Sequence, residues 1–485
     1  MKRNASLYLI WGIVVVLIVL GSSTYAADFP ICTATDDQKY PKVAYDGTNH
    51  LVIWQDYRSD SWDIYGQRVS TSGGLVGSNI NICAATGFSP ALAWSGVNYL
   101  VVWYQGGTWN KNVWGQRVNS AGQLLGTNFA ITSGEVYDEF QYPNIVWGDT
   151  NYLVVFVRYT DYQYIYGRKV NSSGSLVGDT FAICTTPSDD MWSHLNPAVA
   201  WDGTNYLVVW DDYRSASNYD IYGQIVNSAG GLVGSNFPIC TAANDQRRPD
   251  IVWDGTNYLV VWYDRRNGNW DIYGQRINTS GGLVGSNIPI STDGSSQYYP
   301  AVAWSGNQYL VVWRDYRGDY YDIYGQRLDA TGGLFGTNFV VSTAATDQDY
   351  PDLAWDGSHY LVVWHQDVSG YYDIYGNIDL IIGIVEKLTA KAIGQEARLI
   401  VYPNPFTRST VISYQLPVDE KVSLGIYDLT GRLVKNFLNE EISAGYYTVT
   451  WNGKDDSGQR LAPGIYFSCL QAGGFRNTKK MILLK

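Results

Sequence analysis

Seven prolines, Pro41, Pro90, Pro143, Pro197, Pro249, Pro300 and Pro351, recur at intervals of 49 to 54 residues, and each stands at the opening of a copy of one unit. The fifth copy, from Ile251 to Ile290, reads IVWDGTNYLVVWYDRRNGNWDIYGQRINTSGGLVGSNIPI. Its apolar residues fall in four short runs, Ile251 to Trp253, Tyr258 to Trp262, Ile272 to Ile277 and Leu283 to Ile290. Short runs rich in Val, Ile, Tyr and Trp and bounded by turn residues read as strands, and none is long enough for an ordinary helix. Asp254-Gly255-Thr256-Asn257 and Asn278-Thr279-Ser280-Gly281-Gly282 supply the tight turns, because glycine accepts the positive φ such turns demand.

A period near 50 residues with four strands per copy predicts an all-β fold, a seven-bladed β-propeller. One copy alone leaves both faces of its sheet uncovered, so neighbouring copies must stack. The chain ends predict how the ring closes. Phe29-Pro30-Ile31-Cys32-Thr33 matches the end of the fourth strand in copy four, Phe237-Pro238-Ile239-Cys240-Thr241. Copy seven breaks its pattern after Asp373-Ile374-Tyr375-Gly376, so the N-terminal strand is expected to complete it. The arrangement resembles the strand exchange of WD-repeat propellers, although the WD-repeat motif is absent.

The expected division is residues 1–26 signal peptide, 27–380 propeller, 381–398 linker and 399–485 a small immunoglobulin-like β-sandwich. Lys2 and Arg3, the apolar run from Leu7 to Leu20, and small residues at Thr24 and Ala26 have the order of a secretory leader cleaved after Ala26. No later stretch is apolar enough to span a bilayer. The last segment carries Val401-Tyr402-Pro403-Asn404-Pro405-Phe406, Ile426-Tyr427-Asp428-Leu429-Thr430-Gly431-Arg432, Trp451-Asn452-Gly453-Lys454-Asp455, Ala462-Pro463-Gly464-Ile465-Tyr466 and Lys479-Lys480. Together these resemble the type A C-terminal sorting domain of type IX secretion cargo, and are similar to the flagellar hook-capping immunoglobulin-like domain. Thr407-Arg408 departs from the Asn-Pro that many members carry there. The resemblance implies a Gram-negative-type bacterium, outer-membrane secretion machinery as a partner, and a secreted or cell-surface destination. Two readings of the segment stand, a working export signal and a structural sandwich.

A net charge of -12 argues against nucleic acid or anionic membranes as partners through bulk charge. Cys32, Cys83, Cys184 and Cys240 share one position of the repeat, too far apart in different blades for disulfides, and are expected to be small buried residues.

Loops between the fourth and first strands vary from 6 to 12 residues while the hairpin turns stay constant, so ligand contacts are expected where length varies. Trp109, Tyr137, Phe140, Asp189, Asp190, Trp192 and His194, around blades two to four, are the candidate binding residues. Aromatic platforms beside carboxylates suit a carbohydrate or peptide surface. A second pattern is Asp-x-Arg after the second strand, Asp56/Arg58, Asp212/Arg214, Asp264/Arg266 and Asp315/Arg317, each followed by a carboxylate that opens the third strand, Asp63, Asp220, Asp271 or Asp322. Its oxygens can hold Ca²⁺ and its arginines can bind anions. Recurrence in four blades fits instead a structural ion pair clamping each hairpin. The repeating tryptophans, such as Trp201, Trp210, Trp253 and Trp262, are expected in the core between blades.

Only four histidines occur, at 50, 194, 359 and 365, and no zinc-binding HExxH, nucleophile elbow, P-loop or other cofactor motif is present. The sequence therefore points to a binding module for an extracellular glycan, protein or cell-surface ligand, with no cofactor. The alternative is a glycoside hydrolase or lyase, which needs only loop carboxylates, arginines and tyrosines.

Overall fold

The computed structural model describes residues 28–107, 110–134, 138–160, 162–186, 194–378, 398–402, 410–416, 420–442, 445–473 and 475–484. The expected signal peptide, nearly all of the expected linker and the Pro403-Asn404-Pro405-Phe406 motif lie outside the described residues. Seven antiparallel four-stranded sheets follow one another between residues 29 and 377. In blade five the strands are Gln246–Trp253, Tyr258–Asp264, Asp271–Ile277 and Leu283–Ser291. The first strands touch their neighbours in a closed cycle, from Gln38–Tyr45 of blade one round to Gln348–Trp355 of blade seven and back. They therefore line the axis of a seven-bladed β-propeller.

Each sheet has two apolar faces, because the middle of its second strand is buried on both sides, and Asn49–Asp56 is buried throughout. Alternate residues serve opposite neighbours. Leu51 and Ile53 pack with Tyr99, Val101 and Trp103 of blade two, whereas Val52 and Trp54 pack with Ile31, Leu361 and Val363 of blade seven. Trp54, Trp103, Trp210, Trp262, Trp313 and Trp364 are fully buried, and Phe156 takes that place in blade three. The first-strand tryptophans, Trp201 and Trp253, are only half-buried and pack at the edges of these clusters. Cys32, Cys83, Cys184 and Cys240 are buried free thiols.

The ring closes as the repeats require. Phe29–Cys32 pairs antiparallel with Tyr371–Asn377, Phe29 opposite Gly376 and Cys32 opposite Ile374. A Cβ at Gly376 would meet Ile31 Cδ1 at 2.9 Å, so glycine lets the closing strand seat. Asp28 accepts hydrogen bonds from Asn377 Nδ2 at 3.0 Å and from the Ser342 hydroxyl.

The C-terminal unit is an immunoglobulin-like sandwich of a three-stranded sheet (Arg398–Tyr402, Thr410–Leu416, Gly445–Trp451) and a four-stranded one (Leu433–Ile442, Glu420–Asp428, Gly464–Ala472, Phe475–Leu483). Leu399, Ile412, Leu424, Trp451, Leu470 and Met481 meet in its core. No helix among the described residues is long and apolar enough to cross a membrane.

Ile31 is 2% exposed and Leu75, on an outer strand, is 50% exposed. Ile31→Asp is expected to cost more than about 3 kcal/mol, through an unpaired charge at the closure, and Leu75→Asp about 0.5 kcal/mol or less. Urea denaturation of the two variants checks the difference.

Candidate functional site

In every blade the pairing of first and second strands skips at the proline. Lys39 pairs with Gln55 and Lys42 with Ile53, so Tyr40 and Pro41 together oppose Trp54. The same bulge falls at residues 88/91, 141/144, 195/198, 247/250, 298/301 and 349/352. A bulge accommodates proline, which has no N–H for the ladder. The residue before it turns left-handed: φ is 56° at Tyr40, 49° at Ser89, 52° at Tyr142, 50° at Asn196, 49° at Arg248, 53° at Tyr299 and 50° at Tyr350. That conformation costs roughly 1–2 kcal/mol for a residue with a Cβ. Because it recurs with Tyr, Ser, Asn and Arg, the backbone belongs to the fold and the side chain is what varies.

These side chains converge on the axis. Tyr40 of blade one meets Tyr350 of blade seven edge-on at 4.6 Å between ring centres, and Tyr350 stacks on Tyr299 of blade six at 4.2 Å. The Arg248 guanidinium of blade five lies 4.8 Å from the Tyr299 ring centre and 5.7 Å from that of Tyr350. Blades five and seven are not neighbours, so their contact places these groups in the central mouth. On blades two and three, Tyr104 meets Tyr142 at 5.7 Å. Gln38 pairs with Asp56, so this mouth opens where the second-to-third and fourth-to-first loops emerge.

A second tier comes from the residue after each buried second-strand aromatic: Gln55, Tyr104, Val157, Asp211, Tyr263, Arg314 and His365. Asp211 accepts both oxygens' bonds from Asn196 Nδ2, at 3.0 and 3.1 Å, and one from Arg247 Nε at 3.4 Å. Arg314 pairs with Asp349 at 2.5 Å and lies 4.7 Å from the Tyr299 ring centre. Burial, aided by the charges of Lys39 and Arg314, lowers the His365 pKa to about 3, so its neutral Nδ1 accepts the Tyr40 N–H at 3.2 Å. Deeper along the axis, Lys42 pairs with Asp352 at 3.2 Å. Burial raises Asp250 to about 6 against the opposing pull of Lys42. Asp352 and Asp250 also each accept a backbone N–H of the next blade at 2.8 Å, from Val43 and Val302.

The Asp-x-Arg pairs do more than clamp a hairpin. Arg266 Nε and Nη2 grip Asp264 at 2.9 and 2.5 Å, while Trp262 Nε1 donates to the same carboxylate at 2.9 Å. Arg266 Nη2 also reaches Cys240 Sγ of blade four at 3.0 Å, and its guanidinium lies 4.0 Å from the Tyr273 ring centre. Arg58 likewise joins Asp56 to Cys32 on the closing strand, and Arg214 joins Asp212 to Cys184. Arg317 holds Asp315 at 2.6 Å. Each of these carboxylates is filled by arginine and tryptophan donors, which is not an oxygen cage for Ca²⁺. Blades two and seven have no such arginine, and there the Trp103 and Trp364 indoles donate to neutral Gln105 and Gln366. Blade three puts Arg158 at that position, paired bidentately with Asp138 at 2.8 Å. Beside it a cavity of about 320 Å³ opens, lined by Thr132, Asp138, Phe140, Arg158, Tyr166 and Thr180 among others.

Blade four carries one further change. His194 takes the place that buried Gln38, Gln246, Gln297 and Gln348 hold in other blades, and it faces both Cys184 and Asp212. Its Nδ1 lies 2.8 Å from the Gln163 carbonyl and its Nε2 3.2 Å from Asp212 Oδ2. Burial lowers the imidazole pKa, but hydrogen bonds to Asp212 and Cys184 outweigh it and raise the value to about 9. Against the effect of burial, the hydrogen bond and charge of His194 lower Cys184, whereas burial raises Cys240 to about 11. Among the described residues these three side chains make the one cluster with metal-ligating spacing, but Asp212 is already engaged by Trp210 and Arg214.

Of the candidate binding residues, Trp109, Tyr137, Asp189, Asp190 and Trp192 lie outside the described residues. Phe140 and His194 are buried, at 4% and 0% exposure, and do not stand on an open loop surface. The axial mouth was not among the expectations. Its one sequence signal is that the residue before each repeat proline varies while the proline does not.

Residues 407–472 match the family described as FlgD Ig-like domain. No curated protein matches the chain. Among solved structures, a protein of unknown function from Dyadobacter fermentans is similar at 12% identity and a TM-score of 0.48, covering 73% of this chain and 98% of that one. The Dos1 propeller is similar at 12% identity and a TM-score of 0.42, covering 71% and 82%. A GH43 endo-arabinanase from Bacillus licheniformis is similar at 13% identity and a TM-score of 0.33, covering 51% and 96%. By its own sheet topology and the match at residues 407–472, the chain is a seven-bladed β-propeller followed by an immunoglobulin-like domain. The likenesses carry nothing about its ligand.

Arg266→Met leaves the fully buried Asp264 without its cation and is expected to cost about 3–5 kcal/mol. Adding Asp264→Gln, the arrangement of blades two and seven, is expected to recover most of that loss in the same denaturation measurement. The raised His194 pKa sets a second expectation. Its contribution to stability is complete below the unfolded value of 6.5 and is lost as pH rises through about 9. Melting temperatures measured between pH 6 and 10 are expected to fall more steeply for the wild type than for His194→Gln.

Proposed function

We propose that this protein is an exported propeller that binds an extracellular glycan at the axial mouth. The observation that carries the reading is the wall of Tyr40, Tyr104, Tyr142, Tyr299 and Tyr350 gathered from five blades onto one opening. Flat aromatic rings with polar edges suit the C–H faces and hydroxyls of sugars, and they order at low conformational cost. The leader-like N-terminus and the sorting-domain motifs support export to the surface or medium of a Gram-negative-type bacterium. The FlgD Ig-like match supports the sandwich on which those motifs sit.

A polysaccharide hydrolase is the second reading, because Asp250 and Asp352 both face Lys42 on the axis and Asp250 is raised to about 6. Glycosidase chemistry needs a protonated acid beside an ionised partner. Here both carboxylates hold backbone N–H groups of the next blade, which favours a role in joining blades.

A glycan array probed with the full chain, with bound glycans analysed for cleavage, tests the reading. Retention of intact glycan, weakened about tenfold or more by Tyr299→Ala, is the expected outcome. Cleavage abolished by Asp250→Asn would favour the hydrolase instead. For export, removal of residues 399–485 is expected to retain the protein in the periplasm of a type IX-secreting host, as read by cell fractionation.

A further inference from the structure

Among the described residues, the axial mouth holds one cation that makes no ion pair. Lys39 pairs with Asp37 at 2.8 Å, Lys42 with Asp352 at 3.2 Å, Arg247 with Asp211 at 3.4 Å and Arg314 with Asp349 at 2.5 Å. Arg248 forms no ion pair and no hydrogen bond with any described residue. Asp211 attracts it electrostatically, yet the Asp211 oxygens are held by Asn196 and Arg247. What surrounds the guanidinium is aromatic: the Tyr299 ring centre at 4.8 Å and that of Tyr350 at 5.7 Å.

The fold gives no reason for an arginine here. The equivalent residues are Tyr40, Ser89, Tyr142, Asn196, Tyr299 and Tyr350, and all share its left-handed φ. Asn196 is the type best suited to that backbone, and a long charged side chain is among the less suited. Ring faces offset part of the cost of withdrawing a guanidinium from water, but they leave its five N–H donors without acceptors. A partner that supplies two oxygens in a plane would meet that fork bidentately.

We propose that Arg248 is the recognition point for an anionic group on the glycan, so that the ligand is an acidic polysaccharide bearing uronate carboxylates. The inference rests on the glycan reading of the mouth. A sugar ring set against the tyrosines carries its equatorial carboxylate at the ring edge, which is where a cation held beside those same rings can reach it. A protein of net charge -12 draws no polyanion by its overall field, so this local cation is what selects the charge. A sulfate ester offers the same oxygens, and the choice of oligosaccharide separates the two sources.

The test is isothermal titration of the full chain with a uronic-acid oligosaccharide, a sulfated galactan oligosaccharide and a neutral glucan oligosaccharide of matched length. Arg248→Asn and Arg248→Lys are titrated alongside. Asparagine is the residue of blade four at this position, so the variant is expected to melt as the wild type does. The expected result is that the uronate binds best, that its affinity falls with added salt, and that Arg248→Asn weakens it tenfold or more while leaving neutral binding unchanged. Arg248→Lys, which keeps the charge and loses the fork, is expected to fall between. Tighter binding of the sulfated chain, lost in the same variant, overturns the carboxylate assignment and keeps the anionic one. Neutral binding equal to uronate binding, or indifference to Arg248→Asn, overturns the proposal and leaves the glycan reading standing. If none of the three binds, the glycan reading fails and the proposal with it.

Discussion

A four-stranded sheet whose second strand is apolar on both faces cannot rest with either face in water. Everything else in the propeller follows from that constraint. Leu51 and Ile53 need blade two, Val52 and Trp54 need blade seven, and the same demand passes from sheet to sheet until the first face meets the last. An open stack would leave two faces bare, so the ring must close. The closing strand is Phe29–Cys32, fitted where Gly376 leaves room for Ile31. The buried indoles then need acceptors, which brings carboxylates into the core and arginines after them. In blades two and seven, where the arginine is missing, glutamine replaces the aspartate, so among the described residues each indole-bound carboxylate of these second strands keeps its cation.

Blade count, strand order and closure were legible in the sequence because they are carried by periodic features: the proline, the Asp-Gly-Thr-Asn turn, and Phe-Pro-Ile-Cys at both Phe29 and Phe237. The aspartate-arginine pairs were legible as ion pairs for the same reason. Their contact with the preceding blade's cysteine was not, since nothing local ties Arg266 to Cys240. The axial mouth escaped because it depends on a bulge. Alternation assigns side chains to the two faces of a sheet, and a left-handed residue before proline turns toward neither. Loop length drew attention to residues such as Trp192, which lie outside the described structure, and away from the short, constant bend that gathers the tyrosines.

Blades three and four show how a repeat specialises without losing its place in the ring. In blade three Arg158 occupies an aspartate's position and recruits Asp138, and a cavity stands beside it. In blade four His194 occupies a glutamine's position and joins Cys184 to Asp212. Both changes exchange one satisfied polar arrangement for another. The same tolerance operates at the mouth, where tyrosine, serine, asparagine and arginine share one backbone. Binding character and blade architecture are therefore written in different residues.

The way the ring is fastened also sets how it would yield to force. Phe29–Cys32 runs antiparallel to Tyr371–Asn377, with Phe29 opposite Gly376, so the chain enters the closing pair and leaves it at the same end. A pull between the segment before Phe29 and the segment after Asn377 loads the hydrogen bonds one after another, as a zipper is opened, and never all at once in shear. Tethered at both of those ends, the propeller would give first at its seam, while blades one to six kept their stacking. Tethered by the C-terminal side alone, it carries no tension across the seam.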